Sequence, residues 1–100
     1  MTHLAIYPTP AHARVAMVEF IRTHSTFKLH AGEMRVWHKD DTDIGVHYIA
    51  QENVPEALMG RSYSSIYVHP ECLLTGAQVN AINMRVHTQR PRLVSVQEQQ

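Results

Sequence analysis

The side chains best suited to chemistry stand together in His69-Pro70-Glu71-Cys72, directly after an apolar stretch. His-x-Glu opens the signature of zinc deaminases, which a Pro-Cys-x-x-Cys pair completes downstream. Cys72 is the only cysteine of the chain, so that signature is incomplete. A small metal-dependent enzyme around His69 and Cys72 would need two further ligands from histidines remote in sequence. The alternative is a strand-end turn in which Cys72 is a buried or half-buried apolar side chain.

Other catalytic chemistry lacks partners in the sequence. A nucleophilic Cys72 needs a nearby base, and Pro70 disfavours a helical geometry between that thiol and His69. The eight histidines are dispersed, and none forms a close-spaced pair with an obvious third ligand. The four glycines cannot assemble a Gly-rich phosphate-binding loop. We therefore predict a protein that is not an enzyme and that uses no cofactor or metal.

Asp40, Asp41 and Asp43 form the densest run of charge. Neighbouring carboxylates can bind a hard cation, but this run lacks the glycine and the distal glutamate of an EF-hand loop. Aspartates are also favoured in turns, where their side chains bond the local backbone. The run is therefore interpreted as a polar turn and as an exposed negative corner that a basic partner could use.

Arg85, Arg90 and Arg92 give the C-terminal region a local positive patch that could touch phosphate. The nine basic and nine acidic residues cancel, and the sequence pI is about 7.1, which argues against sequence-blind binding of nucleic acid. Nucleic-acid binding through this basic face remains an alternative function. The aromatic side chains that could stack on bases, or equally pack in the sheet, are Trp37, Tyr48, Tyr63 and Tyr67.

The apolar pattern predicts the elements that must position these side chains. Thr9 and Pro10 mark the N-cap and first position of a helix. Four of its residues share one face, which two more widen: Ala11, Val15, Val18 and Ile21, with Met17 and Phe20. Strands are predicted at 4–7, 33–38, 44–50 and 64–69, helices at 11–23 and 77–87, a short helical turn at 54–61 and a further edge strand at 93–96. Thr75 is the predicted N-cap of the second helix. Residues 25–32 are predicted to be a loop, residues 39–43 a polar turn, and the strand at 64–69 central in the sheet.

This order, β-α-β-β-β-α-(β), predicts an α/β fold with a mixed sheet and two main helices. At 100 residues, 44% hydrophobic and 18% charged, the chain should form one domain over 1–96 with a frayed polar tail at 97–100. The N-terminus lacks a signal-peptide pattern, and no apolar stretch reaches the roughly 18–20 residues of a membrane span. With a single cysteine, these features predict a soluble cytoplasmic protein that does not contact a membrane.

Residues 57–63 read Ala-Leu-Met-Gly-Arg-Ser-Tyr, and an apolar strand ending at His69-Pro70 follows them. Together with the hairpin before it, this segment resembles part of the motor domain of phage large terminase subunits and related phage P-loop proteins. The resemblance spans about residues 44–85. In that family a leucine-x-glycine-arginine-x-tyrosine segment precedes a strand that ends in an acidic pair.

The resemblance implies an α/β core of phage origin, but two features of the family are missing. His69 and Pro70 stand where the family has the acidic pair that holds Mg²⁺, and no Gly-x-x-x-x-Gly-Lys-Ser/Thr loop is present. The implied protein is a degenerate P-loop-like core without the ATPase machinery. Small accessory proteins of phages or prophages fit that description, and a phage-encoded chain would act in the host cytoplasm.

These features predict a non-catalytic accessory protein that binds and inhibits a host protein. The candidate contact residues lie in two segments, the first with Trp37, Asp40, Asp41 and Asp43 and the second with Met59, Arg61 and Tyr63. The alternatives are nucleic-acid binding through Arg85, Arg90 and Arg92 and a small metal-dependent enzyme around His69 and Cys72. A free sheet edge at 33–38 or in the C-terminal strand could also pair two copies into a homodimer.

Overall fold

A computed structural model describes residues 2–59 and 63–84 of the chain. Within these ranges the order of elements is β-α-β-β-β-α-β-α, which confirms the predicted α/β fold with a mixed sheet. Two short 3₁₀ segments lie at Ala31–Glu33 and Gln51–Asn53. The strands are β1 (Thr2–Tyr7), β2 (Phe27–His30), β3 (Arg35–His38), β4 (Asp41–Ala50) and β5 (Ser65–Val68), and the helices are α1 (Pro10–Thr23), α2 (Val54–Leu58) and α3 (Gly76–Asn83).

Local signals fix the start of α1 directly after the carboxyl end of β1. The Oγ1 of Thr9 accepts a hydrogen bond from the backbone N–H of His12 at 3.1 Å, as an N-cap does. Pro10 takes the first helical position, where its missing N–H would have no partner in any case. A cap of this kind stabilises a helix by about 1 kcal/mol. The predicted cap and first residue of α1 are therefore confirmed.

The sheet has the strand order β2-β3-β4-β1-β5. β1 pairs in parallel with β4 on one side and with β5 on the other, while β2 and β3 continue the sheet in antiparallel pairing. The carboxyl ends of β1, β4 and β5 therefore meet at one edge of the sheet. α/β proteins place ligand sites at this edge, where the connections leave neighbouring strands in opposite directions.

Alternation along the strands divides the core into two clusters on opposite faces of the sheet. The smaller cluster lies beneath α1, and the larger one lies between the sheet and the pair α2–α3. Both helical layers bury apolar side chains against the same five-stranded sheet. The buried members of the smaller cluster are Ala5, Ala13, Met17, Val36 and Tyr48, and those of the larger are Leu4, Ile6, Ile49, Val54, Leu58, Tyr63, Ile66, Val68, Cys72 and Ile82.

Side-chain hydrogen bonds fix α3 to the carboxyl end of β4. Thr75 and Gln78 form a capping box, in which Thr75 Oγ1 accepts from the Gln78 N–H and Gln78 Oε1 accepts from the Thr75 N–H. The Gln78 side chain also donates to the carbonyl of Gln51 at 3.4 Å. The Oε1 of Gln51 accepts from the N–H of Leu73 at 2.8 Å. The segment that leads into α3 is therefore held beside the end of β4.

The predicted loop at 25–32 is wrong, because Phe27–His30 forms strand β2 at the sheet edge. Phe27 packs edge-on against Phe20 of α1, with ring centroids 5.0 Å apart, and against His38 of β3 at 5.3 Å. The strand therefore depends on contacts with α1 and β3 more than on its own residues. The predicted polar turn is also shorter than expected, since β4 already begins at Asp41.

Two further expectations differ from the structure. Met17 of the predicted face of α1 is buried together with Ala13, whereas Val15 and Val18 of that face are 60% and 42% exposed. Within the described residues β5 lies at the end of the sheet and not at its centre. The two predicted main helices are α1 and α3, and α2 lies within the predicted short helical turn at 54–61. The predicted continuation of α3 to residue 87, the strand at 93–96 and the polar tail lie outside the described residues.

Candidate functional site: two open corners of the sheet

Three helices leave two parts of the five-stranded sheet without a helical cover among the described residues. α2 and α3 pack on one face over β4, β1 and β5, so this face is open at β2 and β3. α1 packs on the other face, from β2 to β1, so that face is open at β5. We name the first area the tryptophan corner (Lys28, His30, Arg35 and Trp37) and the second the histidine corner (Tyr7, His12, Tyr67 and His69).

The antiparallel ladder of β2 and β3 builds the tryptophan corner. Lys28 pairs with Trp37 and His30 with Arg35, so all four side chains lie on the same face. The ring of His30 stacks on Trp37 at a centroid distance of 5.4 Å and an interplanar angle of 29°. The Arg35 guanidinium lies 5.6 Å from the Trp37 ring centroid, in cation–π contact. Trp37 is therefore held half-buried between two neighbours with its position fixed.

One carboxylate orients the two groups that flank Trp37. Glu33 Oε1 lies 3.6 Å from Arg35 Nη1 and 3.8 Å from His30 Nδ1. These are exposed pairs, so each contributes little stability, but together they limit where the guanidinium and the imidazole can lie. Lys28, also on this face, is exposed and forms no ion pair within the described ranges. The corner therefore offers an oriented aromatic ring beside two permanent cations.

Gly45 of β4 allows β3 and β4 to approach closely beside Trp37. It pairs with Trp37 in the register of the two strands and is itself buried. A Cβ atom at this position would lie 2.5 Å from the Val36 carbonyl oxygen and 3.3 Å from the Trp37 Cβ. Any side chain at residue 45 would therefore displace the strand that carries the tryptophan corner.

The predicted aspartate run forms the turn between β3 and β4 and the start of β4. Asp41 Oδ1 accepts a hydrogen bond from the N–H of Asp43 at 3.0 Å, and His38 Nδ1 accepts from the N–H of Asp40 at 3.1 Å. Such local side-chain-to-backbone bonds are the reason that aspartates favour turns. All three aspartates are exposed, and they follow directly on the strand that carries Trp37.

The histidine corner joins the ends of β1 and β5 to the first turn of α1. The rings of His12 and His69 meet edge to face with centroids 4.5 Å apart. Tyr7 lies 5.2 Å from His12, 5.6 Å from His69 and 6.0 Å from Tyr67. His69 Nδ1 accepts a hydrogen bond from the N–H of Glu71 at 3.0 Å, so its Nε2 carries the proton when the ring is neutral. Burial raises the pKa of Tyr7, with smaller contributions from Tyr67 and Cys72, so this phenol stays protonated at neutral pH.

Cys72 does not face the histidine corner. Its side chain is 6% exposed, lies in the larger core cluster and donates through Sγ to the carbonyl of Ile6 at 3.5 Å. Burial raises the pKa of the thiol to about 11, so the thiolate needed for nucleophilic chemistry or metal binding is disfavoured. Within residues 2–59 and 63–84, no three His, Cys, Asp or Glu side chains are grouped so that they could hold a metal ion.

The remaining predicted contact residues are not brought together on one surface. Met59 is 70% exposed, whereas Tyr63 is 3% exposed and donates through its hydroxyl to the carbonyl of Ala57 at 3.2 Å. Tyr48, a predicted stacking candidate, is also buried, while Tyr67 is 47% exposed at the histidine corner. Predicted site residues that lie outside the described ranges are Arg61, Arg85, Arg90 and Arg92.

Lys28 and His30, which complete the tryptophan corner, were not predicted from the sequence. Both lie in β2, where the chain alternates Phe27, Lys28, Leu29 and His30 between the two faces of the sheet. This alternation of apolar and polar residues is the sequence pattern that could have predicted the strand, although it extends over only four residues.

No helix among the described residues is long and apolar enough to cross a membrane. Comparisons with known protein families, with curated proteins and with solved structures give no match for this chain. The resemblance of residues 44–85 to phage terminases therefore remains a prediction from the sequence.

Proposed function

We propose that this chain is a non-catalytic, phage-type accessory protein that binds a host protein and inhibits it, and that the tryptophan corner is its contact surface. The observation that carries the proposal is the oriented, helix-free Trp37 between His30 and Arg35. The origin from a phage rests on the sequence resemblance alone.

The composition of this corner favours protein recognition. Tryptophan and arginine are enriched among the few residues that supply most of the binding energy of protein interfaces. Trp37 is already held by its neighbours in the free protein, so little conformational entropy remains to be lost when a partner covers it. A preorganised aromatic ring surrounded by polar side chains is the arrangement found at the centre of many protein interfaces.

The charges of the corner indicate the chemistry of the partner surface. Lys28 and Arg35 lie on the same face as Trp37, and Glu33 neutralises part of the Arg35 charge. A complementary partner would place an apolar side chain on the Trp37 ring and a carboxylate within reach of Lys28. The exposed aspartates of the adjoining turn could extend the contact to a basic group of the same partner.

One observation favours a second candidate, the binding of single-stranded nucleic acid. Exposed aromatic rings beside cations form the stacking platforms of single-strand binding proteins, and Trp37 with Lys28 and Arg35 has that composition. The Arg85, Arg90 and Arg92 patch would belong to the same function. The equal numbers of acidic and basic residues in the chain favour the protein partner.

The test is a pull-down of the tagged protein from a bacterial lysate, with and without nuclease, read by mass spectrometry. The wild-type chain should retain one stoichiometric protein that survives nuclease, and Trp37→Ala should lose it. Tyr67→Ala is the matched control, because it removes an exposed aromatic ring from the histidine corner on the opposite face. This control should retain the partner.

Three outcomes would contradict the proposal. Recovery of nucleic acid, or of proteins that disappear after nuclease, would move the function to the second candidate. A partner retained equally by Trp37→Ala and wild type would place the interface elsewhere. Retention of no protein by the wild-type chain would remove the protein-binding function.

A further inference from the structure

A cleft of about 390 Å³ opens at the carboxyl end of β4. The start of α1, the 3₁₀ segment at Ala31–Glu33, the end of β4 and helix α2 surround it. Its volume is near the lower end of the roughly 300–1,000 Å³ typical of small-molecule sites. A ligand of this site would therefore be small, with few non-hydrogen atoms, and much smaller than a dinucleotide.

The cleft exists because β3 stops pairing before β4 ends. Arg35 and His47 are the last pair of the β3–β4 ladder toward the carboxyl end of β4. One more hydrogen bond follows, from the Tyr48 N–H to the Met34 carbonyl at 2.8 Å. Met34 has φ 55° and ψ 45°, a left-handed conformation that turns the preceding chain away from β4. Non-glycine residues in this region are strained, and such strain concentrates at functional sites. β1 continues to pair with β4 as far as Ala50, so the notch opens on the β3 side alone.

Two opposite charges line the cleft without pairing with each other. Arg14 lies on the second turn of α1 and Glu56 on α2, and both side chains are exposed. Neither side chain forms an ion pair or a hydrogen bond within residues 2–59 and 63–84. By contrast, the third charged residue of the lining, Glu33, is already bound to Arg35 and His30. An unpaired guanidinium and an unpaired carboxylate therefore face one small space.

The rest of the lining is apolar apart from His47, Asn53 and the hydroxyl of Tyr48. Met34, Ala13 and Ala57 line the space, with the buried ring of Tyr48 among them. Burial raises the pKa of Tyr48 to about 12, so its hydroxyl remains a neutral group at physiological pH. This lining suits an aliphatic group that lies between the two charges.

We infer that the cleft binds a free α-amino acid with an aliphatic side chain. The planar guanidinium of Arg14 matches the geometry of the ligand carboxylate and can bond it through two N–H groups. Glu56 receives the ammonium group, and the aliphatic side chain contacts Met34 and Ala57. The carboxyl end of a parallel strand is the position at which α/β proteins hold small ligands. Arg14 and Glu56 do not belong to the tryptophan corner, so either proposal can fail without the other.

Isothermal titration with L-leucine tests the inference, together with L-leucinamide and N-acetyl-L-leucine as charge controls. L-Leucinamide lacks the carboxylate and N-acetyl-L-leucine lacks the ammonium, so each should bind the wild-type chain about tenfold more weakly than L-leucine. Arg14→Gln should weaken L-leucine about tenfold and abolish the preference over L-leucinamide. Glu56→Gln should abolish the preference over N-acetyl-L-leucine in the same way.

The matched controls are Arg22→Gln and Glu19→Gln, which remove an exposed charge pair on α1 outside the cleft. Both should bind L-leucine as wild type does. The inference is overturned if L-leucine does not bind at concentrations up to about 10 mM, the scale of the weakest specific sites. It is equally overturned if Arg14→Gln and Glu56→Gln bind all three compounds as the wild type does.

Discussion

The two open corners of the sheet differ in how their side chains are held. At the tryptophan corner the rings lie on adjacent strands, and the antiparallel register of β2 and β3 sets their spacing. At the histidine corner the contacting rings come from a strand end, a helix and a loop, so His12 and His69 meet only when β1, β5 and α1 are all in place. The first corner is thus a local feature of one ladder, and the second depends on the whole fold.

The corners also differ in charge. The tryptophan corner carries the cationic side chains of Lys28 and Arg35, with Glu33 beside the guanidinium. The histidine corner is built from the imidazoles of His12 and His69 and the phenols of Tyr7 and Tyr67. Helix placement thus leaves a cationic surface and a surface of stacked aromatic rings on opposite faces of the same sheet.

Ile6→Ala should cause the largest loss in the free energy of unfolding, and it should disturb the histidine corner. Ile6 is fully buried in the larger cluster, and its carbonyl accepts from the N–H of His69 at 2.8 Å. Truncation of a buried isoleucine costs about 2–5 kcal/mol, because it loses apolar contact and leaves a cavity. Urea unfolding followed by circular dichroism measures this loss.

The matched control for this substitution is Ile6→Val, which should cost only about 0.5–1.5 kcal/mol. If the two variants have equal unfolding free energies, the side chain of Ile6 does not support the core as its burial indicates.

Gly45→Ala should cause the second-largest loss of stability and should displace the tryptophan corner. The new Cβ would meet the Val36 carbonyl oxygen at 2.5 Å, so β3 must shift. Overpacking of this kind costs about 1–3 kcal/mol. Trp37 is the only tryptophan, so urea unfolding followed by its fluorescence reports both the stability and the changed surroundings of the ring.

Gly76→Ala is the control for Gly45→Ala. A Cβ at Gly76, the first residue of α3, meets nothing within 4 Å. Alanine there should leave the stability unchanged or raise it by a few tenths of a kcal/mol. An equal loss in both variants would mean that the close approach of β3 and β4 at residue 45 does not matter.

Local sequence signals predicted the parts of the fold that local interactions determine. Thr9 and Pro10 gave the start of α1, and Thr75 gave the start of α3, because a cap bonds to residues only three positions away. Strand β2 was missed because its formation depends on Phe27 packing against Phe20 and His38, which lie elsewhere in the chain. Similarly, Val15 and Val18 of the predicted face of α1 are exposed, because the position of the sheet decides which part of an apolar helix face is buried.

The candidate sites were predicted one residue at a time and not as groups. The sequence singled out Trp37 and His69, but the neighbours that complete each corner come from strand pairing and helix placement. Lys28 and His30 join Trp37 only through the register of β2, and His12 meets His69 only across the β1–β5 junction. Each face of the sheet lacks a helix over one part, and the path of the whole chain decides which part that is. Hydrophobic periodicity predicts single helices and strands, and it does not predict that path.

The pH dependence of stability should give the smallest effect. His3 lies on the same face of β1 as Tyr7, and its Nδ1 is 2.6 Å from Ser65 Oγ of β5. Burial, followed by the positive charge of the N-terminus, lowers the pKa of His3 below its usual value of about 6.5. The folded state therefore binds the proton less tightly than the unfolded state, and protonation favours unfolding.

The contribution of His3 to stability is therefore complete above about pH 6.5 and is lost as the pH falls through the lowered pKa of the folded state. His3→Asn removes this titration. Between pH 7.5 and pH 5, the free energy of unfolding should thus fall less in the variant than in the wild type. His30→Asn is the control, because it replaces an imidazole that is exposed on β2, away from β1 and β5. An equal effect of both substitutions would mean that the burial of His3 beside Ser65 is not the cause of the difference at acid pH.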